Sequence, residues 1–555
     1  MRCPVAPDPS AALRQIREAT DALVAEGRPA EAVEYSLSAL AAVLDKVTEL
    51  EGLLRRLRRE QLGTRSERIP ADQLALLLAG APRLEGPEPP ADRVAETQQD
   101  AVLEQAIAAQ RAARPNDGRP ARRGRLWHAR QIARQVHQVA LPEAERRCGT
   151  CGRPQRRIGE DVTRRLEYVP AHFIEHEYHQ AKYACGTCKV GVRRGTAPAA
   201  GLERSVADPS VLAQVVVSKF VDHTPLHRQH RIYGRSGVDI SVSTLADWVA
   251  GVAERVAPLV EVLTDRVRHA TVVRTDSTGL PVLDPTSPEH VERGTIWCYV
   301  GDDRDVVFRY TPTGAGASGP WEFLAGRRGY VQADAASVFD RLFTGQAASA
   351  IEVGCWAHAR RKFVALVETD CRVAYPLQLI RRLYRLEELA TVEGRDPGQR
   401  AALRGEHSVT VLDTLQRWLL TLHGTEPPGS ELAKAVAYTL KQWIALTRFV
   451  ADGRLALDNN VCEQQLRDLA LGRKNFLFAG SHEAAHRTAV LYSLMRTCAQ
   501  HGVPPLPYLT DVLRQLATES APDLRELLPD QWRRRQPALA PIAPLPDSPT
   551  APIPF

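Results

Sequence analysis

The sequence predicts a multidomain α/β protein, and three observations carry that expectation. Its 555 residues are several times a usual domain of about 100–200 residues, so a large buried core and three or more domains are expected. Between Thr271 and Cys355 short β-branched runs alternate with turn residues, while the flanking segments keep helical spacing. Two Cys-Gly-Thr-Cys pairs stand apart from the other cysteines and mark a small module of their own.

Composition narrows the class. Lys and Arg number 72 against 66 Asp and Glu, a net charge of +6, so the distribution of charge says more about partners than its total. The opening MRCPVAPDPS lacks the regions of a secretory signal. The longest apolar runs, such as Val211–Val221 with Lys219 inside, fall short of the roughly 20 residues a membrane span needs. The expectation is a soluble cytoplasmic, nucleoid-associated protein with no membrane partner. Isolated cysteines at Cys3, Cys298, Cys355, Cys371, Cys462 and Cys498 argue against a secreted disulfide framework.

Residues 1–79 read as an N-terminal helical, coiled-coil region. Leu40, Val43, Val47, Leu50, Leu54 and Leu57 keep three-four spacing among charged residues, the pattern either of a short coiled coil or of an amphipathic helix packed on its own chain. The expectation of a homo-oligomer rests on the first. Residues 80–130 read as a basic Pro/Arg-rich linker. In it Arg119, Arg122 and Arg123 surround Pro120 and Ala121 and suit either an A·T-rich minor groove or solvent.

Residues 131–200 read as a zinc-binding module. Each of the pairs Cys148/Cys151 and Cys185/Cys188 puts two sulfurs on one tight turn, and four thiolates in two pairs suit tetrahedral, structural Zn²⁺; the alternative is two unconnected reactive pairs. Residues 201–265 resemble a helix-turn-helix DNA-binding region. A helix opens at Asp208-Pro209-Ser210, and a break at Gly234–Gly237 follows Leu226–Tyr233. Ser241 or Ser243 then caps a second helix, with Leu245, Trp248 and Val249 inward. An ordinary helical hairpin fits the same pattern.

Residues 266–480 carry the chemistry. Val272–Asp276, Gly294–Val300 and Asp305–Tyr310 read as a three-stranded meander with Asp276 at the end of its first strand. A short helix at Pro320–Leu324 precedes another strand, Gly329–Asp334, that ends in Asp334. A strand to Cys355 and a helix from Trp356 follow. A helical insertion over about 369–453 then separates these from Leu457-Asp458-Asn459-Asn460 and Glu463, with Asp458 a candidate cap. Three acids thus arrive from two strand ends and a later helix, the order a ribonuclease H-like polynucleotidyl-transfer core requires. Hard oxygen ligands suit two Mg²⁺ or Mn²⁺ ions that activate a nucleophile and stabilise a leaving oxygen. Arg360, Arg361, Lys362, Arg467, Arg473, Lys474 and Arg487 are candidate phosphate contacts, with a solvated helix face as the alternative for each. Arg473 and Lys474 lead because Gly472 and Asn475 read as a turn. Residues 481–535 read as a C-terminal helical region and 536–555 as a Pro-rich disordered tail.

Several blocks resemble the bacterial insertion sequence 66 transposases: Cys355-Trp-Ala-His-Ala-Arg-Arg-Lys-Phe363, Leu457-Asp-Asn-Asn460 with Glu463, and Leu471-Gly-Arg-Lys-Asn-Phe-Leu-Phe-Ala-Gly480. The likeness continues through Ala489–Leu494 and Tyr508–Leu513 and back through the cysteine pairs to Leu62–Arg68. It implies a DDE catalytic domain whose triad falls on Asp276, Asp334 and Glu463. It further implies a zipper-like N-terminus, a zinc module and accessory proteins encoded by the same element. Asp276-Ser277-Thr278 stands where Asp-Glu-Thr is usual, and Asp334-Ala335-Ala336 where Asp-Gly-Tyr is common; both aspartates are kept. The expected function is metal-dependent cleavage and 3′-hydroxyl strand transfer at the ends of a mobile insertion sequence, with transposon-end and target DNA as partners. The competing expectations are a decayed, non-catalytic DNA-binding relative and a structure-selective nuclease that cuts without joining.

Overall fold

The computed structural model describes residues 9–38, 93–113, 150–153, 172–183, 193–195, 197–198, 200–202, 205–287, 289–312, 318–344, 349–518 and 522–535. The leucine stripe from Leu40, the basic run with Arg119, Arg122 and Arg123, three cysteines of the zinc module (Cys148, Cys185, Cys188) and the tail from 536 lie outside the described residues.

Part of the expected linker is a helix, α1 (Arg93–Ala113). The prolines and glycines that signalled a linker flank this stretch; within it Ala and Gln dominate, and both favour helix. It docks on the later helix Ala374–Val392, where Asp100 accepts from Arg382 Nε at 2.6 Å and Gln378 Nε2 at 3.0 Å. Glu104 pairs with Arg385 at 2.8 Å, and Arg111 with Glu388.

Helix α2 (Pro209–Phe220) starts where Asp208 accepts the Ser210 N–H at 2.8 Å and Pro209 fills the first turn. After α3 (Leu226–Arg235) the long α4 (Val242–Arg268) is capped by Ser241, which accepts from Thr244 N at 3.1 Å. Leu245, Trp248, Val249, Val252, Val256, Leu259 and Leu263 bury one stripe of α4.

Five strands follow: β1 (Val272–Leu283), β2 (Val291–Gly301), β3 (Asp305–Thr311), β4 (Tyr330–Gln332) and β5 (Ile351–Val353). They form one mixed sheet in the order β3-β2-β1-β4-β5, with an antiparallel meander on one side of β1 and two parallel neighbours on the other. The run read in the sequence as Val272–Asp276 continues as one strand to Leu283. Asp276 therefore lies inside β1 rather than at its end, because pairing with the full length of β2 carries the strand past the acid and through Pro281.

Helix α5 (Trp356–Val364) leads into the insertion, in which α6 (Ala374–Val392) and helices at Pro397–Leu403, Val409–Thr425 and Glu431–Lys441 build a second core around Phe363, Leu379, Leu415, Trp418 and Phe449. At its centre the fully buried Arg404 donates to Glu387 at 2.7 Å and 2.8 Å. It also reaches the carbonyls of Phe449, Asp452 and Leu455 at 2.6–2.8 Å. The chain returns to the sheet as α7 (Asn460–Phe476), α8 (His482–Gln500) and α9 (Pro505–Leu516). Helix α8 runs along the free edge of β3: Phe308 N donates to Ser493 Oγ at 2.8 Å, and Thr497 Oγ1 bonds both the N–H and the C=O of Val306 at 3.0 Å. No helix among the described residues is long and apolar enough to cross a membrane.

Replacing Arg404 by Met leaves three buried carbonyls without their donor and Glu387 with Arg400 alone, at 2.7 Å, so Arg404→Met is expected to cost about 3–5 kcal/mol. Urea unfolding followed by tryptophan fluorescence reads this, and an unchanged midpoint would refute the account.

Candidate active site

The two aspartates come near each other through strand pairing. Strands β1 and β4 pair in parallel as far as Arg274 opposite Gln332, the last residue of β4; Asp334 follows two residues on, and its charge reaches Asp276. Gln332 is fully buried and donates to the carbonyls of Gly354 and Ala456, both at 2.9 Å. The end of β4 is thereby tied to the segment that leads into α7.

That segment brings in the third acid. Asn459, fully buried, donates from its side chain to Thr275 O at 2.8 Å, one residue from Asp276, while its N–H points at Cys355 Sγ at 3.3 Å. Leu457 O accepts the first N–H of α5 at 2.9 Å, and Asp458 O accepts from Arg274 at 3.3 Å. The Asp458 carboxylate takes the Asn460 N–H at 3.1 Å and the Tyr384 hydroxyl at 2.9 Å, so it supports the start of α7 from one position outside the capping residue, Asn459. Glu463 then falls in the first turn of α7, a favourable place for a negative charge.

Around Glu463 stand His358 and Arg361 of α5, with Nε2 of His358 3.8 Å from Oε1 and Arg361 Nη2 3.6 Å from Oε2. Burial pushes the Asp276 carboxyl up to about 6, against the bond from Ser277 N (2.7 Å); the charges of Glu463 and Asp334 add to the rise. The three acids therefore share one electrostatic site. Cys355 and His358 do not converge as a ligand pair: burial pushes the Cys355 thiol up to about 12, and its sulfur faces Asn459 while His358 faces Glu463.

The cations divide. Lys362, Arg467 and Lys474 are exposed. Arg361 is held at Glu463, and Arg473 folds back onto Thr278 and the Gly279 carbonyl of β1. Arg487 pairs with Glu254 at 2.8 Å. Arg360 is 1% exposed, so its place as a phosphate contact is corrected: its side of α5 faces the protein interior rather than solvent. The turn read at Gly472 is also corrected. Gly472 lies within α7, and a Cβ there would sit 2.4 Å from the Tyr492 hydroxyl; the glycine leaves room for that side chain of α8. Sequence reasoning assigned no role to Asn459, Arg274 or Tyr384. Only the Leu457–Asn460 block hinted at the first, because the others act through contacts distant in the chain.

A mixed sheet that gathers three carboxylates beside a helical insertion is the setting in which the comparisons with known proteins fall. Residues 204–487 match the Transposase IS66 family, a DDE transposase domain. Residues 145–189 match the zinc-finger binding domain of transposase IS66, and 493–529 the IS66 C-terminal element. The chain belongs to the IS66 family of transposases. It is 31% identical over 522 residues to Uncharacterized protein y4hP of Sinorhizobium fredii, covering 90% of this chain and 91% of that protein. To Uncharacterized protein y4qI of the same organism it is 32% identical over 534 residues, covering 92% of each.

Family membership implies transposition, DNA binding and a divalent cation, and the zinc-finger domain points to zinc. The residues present fit both. At the acids, Glu463 Oε1 and His358 Nδ1 are buried without a hydrogen-bond partner, and burial, with the charges of Glu463 and Asp334 added, holds the Asp276 carboxyl high; a cation beside the carboxylates would offset that cost. In the zinc-finger span, Cys148, Cys151, Cys185 and Cys188 form a donor set of four sulfurs, of which the described Cys151 is exposed.

The raised Asp276 value has a testable sign. Its folded carboxyl holds a proton more tightly than at the ordinary value of 3.8, so it stabilises the cation-free protein at low pH and loses that contribution as pH rises through about 6. Asp276→Asn should therefore stabilise the cation-free chain at pH 7 by on the order of 1–3 kcal/mol, and by less at pH 4.5. Denaturation in chelator at both pH values checks this; an equal shift at each would count against it.

Proposed function

We propose that this chain cleaves DNA strands at insertion-sequence ends and joins the freed 3′-hydroxyl to target DNA, using a ribonuclease H-like core with Asp276, Asp334 and Glu463 as its acidic triad. The observation that carries this reading is the convergence of the three acids. The parallel pairing of β1 and β4 ends two residues before each aspartate, and the Asn459 bond to Thr275 brings in Glu463 after the insertion. The antiparallel meander followed by parallel strands supports the assignment of the core.

The three carboxylates would hold two Mg²⁺ or Mn²⁺ ions, which when bound lower the pKa of an attacking hydroxyl and stabilise the leaving oxygen. The protein's own part is positional. His358 and Arg361 stand 3.8 Å and 3.6 Å from the Glu463 carboxylate and draw it electrostatically, and Asn459 holds the start of the helix that carries it. Exposed Lys362, Arg467 and Lys474 contact the phosphates of the DNA end. Attack by water and then by the 3′-hydroxyl leaves no covalent bond to the protein, so no serine or tyrosine nucleophile is assigned.

DNA docking is assigned to the region before the sheet. The exposed first turn of α4 presents Val242 and Ser243 and no cation, with Asp247 exposed just beyond it, whereas α3 exposes Arg228, Arg231 and Arg235. Helix α3 therefore supplies backbone contacts. Arg231→Ala with Arg235→Ala should weaken binding to all sequences alike and make it less salt-dependent by about 1–2 units of log–log slope. Unchanged affinity and slope in a fluorescence-anisotropy titration would remove α3 from the interface.

The catalytic test is cleavage and joining of labelled element-end DNA in Mg²⁺ or Mn²⁺. Asp276→Ala, Asp334→Ala and Glu463→Ala should each lower both steps by at least about 10³-fold, a loss near 4 kcal/mol of barrier, with end binding retained. Activity surviving in one variant removes that residue from the triad. A natural protein that binds without cutting is a decayed relative, and one that cuts without joining is a nuclease.

A further inference from the structure

Away from the triad, three polar side chains from three chain segments meet at the far end of β1. Asp284 follows that strand, Glu292 lies near the start of β2, and His482 opens α8. One ligand atom from each lies within 4.8 Å of the other two. His482 Nε2 is 3.4 Å from Asp284 Oδ2 and 3.7 Å from Glu292 Oε2. Eight residues of extended chain separate Asp284 from Asp276, roughly 25 Å along β1, so this cluster is no part of the acidic triad.

Its chemistry is unbalanced as it stands. Among the described residues neither carboxylate pairs with a lysine or arginine; His482 is the basic group both face. The other ring nitrogen, Nδ1, is engaged by the Tyr310 hydroxyl at 2.8 Å. A proton on Nε2 donates to Asp284 Oδ2 at 3.4 Å; with the ring proton on Nδ1 toward Tyr310 instead, the Nε2 lone pair faces the same two carboxylates. Either a proton or a cation then supplies the positive charge between the carboxylates, and the three ligand atoms lie close enough together to share one ion. The tyrosine is positioned by a glycine: a Cβ on Gly294 would lie 2.3 Å from the Tyr310 ring. An imidazole oriented through its second nitrogen is the usual support of a histidine metal ligand.

We propose that Asp284, Glu292 and His482 form a structural site for a divalent transition cation of the zinc class, one nitrogen and two oxygens, with water completing its coordination. The ion ties the tip of the β1–β2 hairpin to the α7–α8 connection. That connection already pairs with β1, Ala479 N donating to Pro281 O and Leu283 N to Ala479 O, both at 2.9 Å. It also holds Leu477 at a positive φ of 64° directly after α7. The staple fixes the C-terminal end of the helix that carries Glu463, and it stands independently of any catalytic role for that residue.

The test is zinc content of the full-length chain after saturation and dialysis, measured by atomic emission. His482→Gln, and separately Asp284→Asn, which keeps an acceptor for Thr286, should each hold about one zinc per chain fewer than the natural protein. Asp276→Asn combined with Glu463→Gln should retain that ion. Added zinc should raise the melting temperature of the natural protein by several degrees more than that of the His482→Gln chain. Equal zinc content in natural protein and both variants overturns the proposal. So does loss of the ion only in the triad variant. A melting temperature that falls as pH rises through the histidine range, unaffected by zinc, assigns the central charge to a proton on His482 and also overturns it.

Discussion

The architecture depends on one buried hydrogen bond, from the Asn459 amide to the Thr275 carbonyl. Some 184 residues of chain separate the two, and the whole helical insertion is folded between them. Inside a dry core an unmade amide bond of this kind costs more than a made one contributes, so the contact acts as a specification rather than as glue. It selects the return path that sets α7 against β1. Arg274, Gln332 and Tyr384 reinforce that path from three directions, each by bonding the 456–460 segment.

This arrangement explains how a large insertion coexists with a geometrically exacting site. The second core, around Phe363, Trp418 and Phe449, encloses its own arginine network at Arg404 and touches the sheet mainly through Val272, Tyr330 and Val353. Bonds from Tyr384 to Asp458, and from Gly354 and Trp356 to the carbonyls of Ala445 and Leu446, tie the insertion to the segments that carry the acids. Helix α1 adds a polar fastening on the insertion's outer side, through Asp100, Glu104 and Arg111. Helix α1 is thereby coupled to the insertion.

Much of the core was legible in the sequence because local pattern and tertiary role agree there. The β-branched runs around Val272 and Val306 are strands, and the caps at Asp208 and Ser241 start their helices where short polar side chains before apolar stripes said they would. What was not legible depends on distant packing. Arg360 and Arg361 are adjacent and chemically alike; one is buried and the other sits at Glu463, a difference set by the insertion core behind α5. Gly472 looked like a turn because nothing local reveals that the Tyr492 side chain of α8 lies there. The continuity of β1 through Pro281 was hidden because a proline in a strand reads as a break, and only pairing with β2 overrides it. The three acids, Asp276, Asp334 and Glu463, stood out in the order of elements, while the residues that position their segments, Asn459 above all, carry no chemical signature of their own.

The hydroxyls of Ser493 and Thr497 along β3 have a consequence for assembly. They occupy backbone groups that an open edge would offer to a strand from another molecule. At the opposite side β5 is only three residues long. The sheet is therefore closed to growth at β3 and offers little template at β5. Among the described residues, the surfaces left open to another chain are those of helices and loops rather than an edge of the sheet.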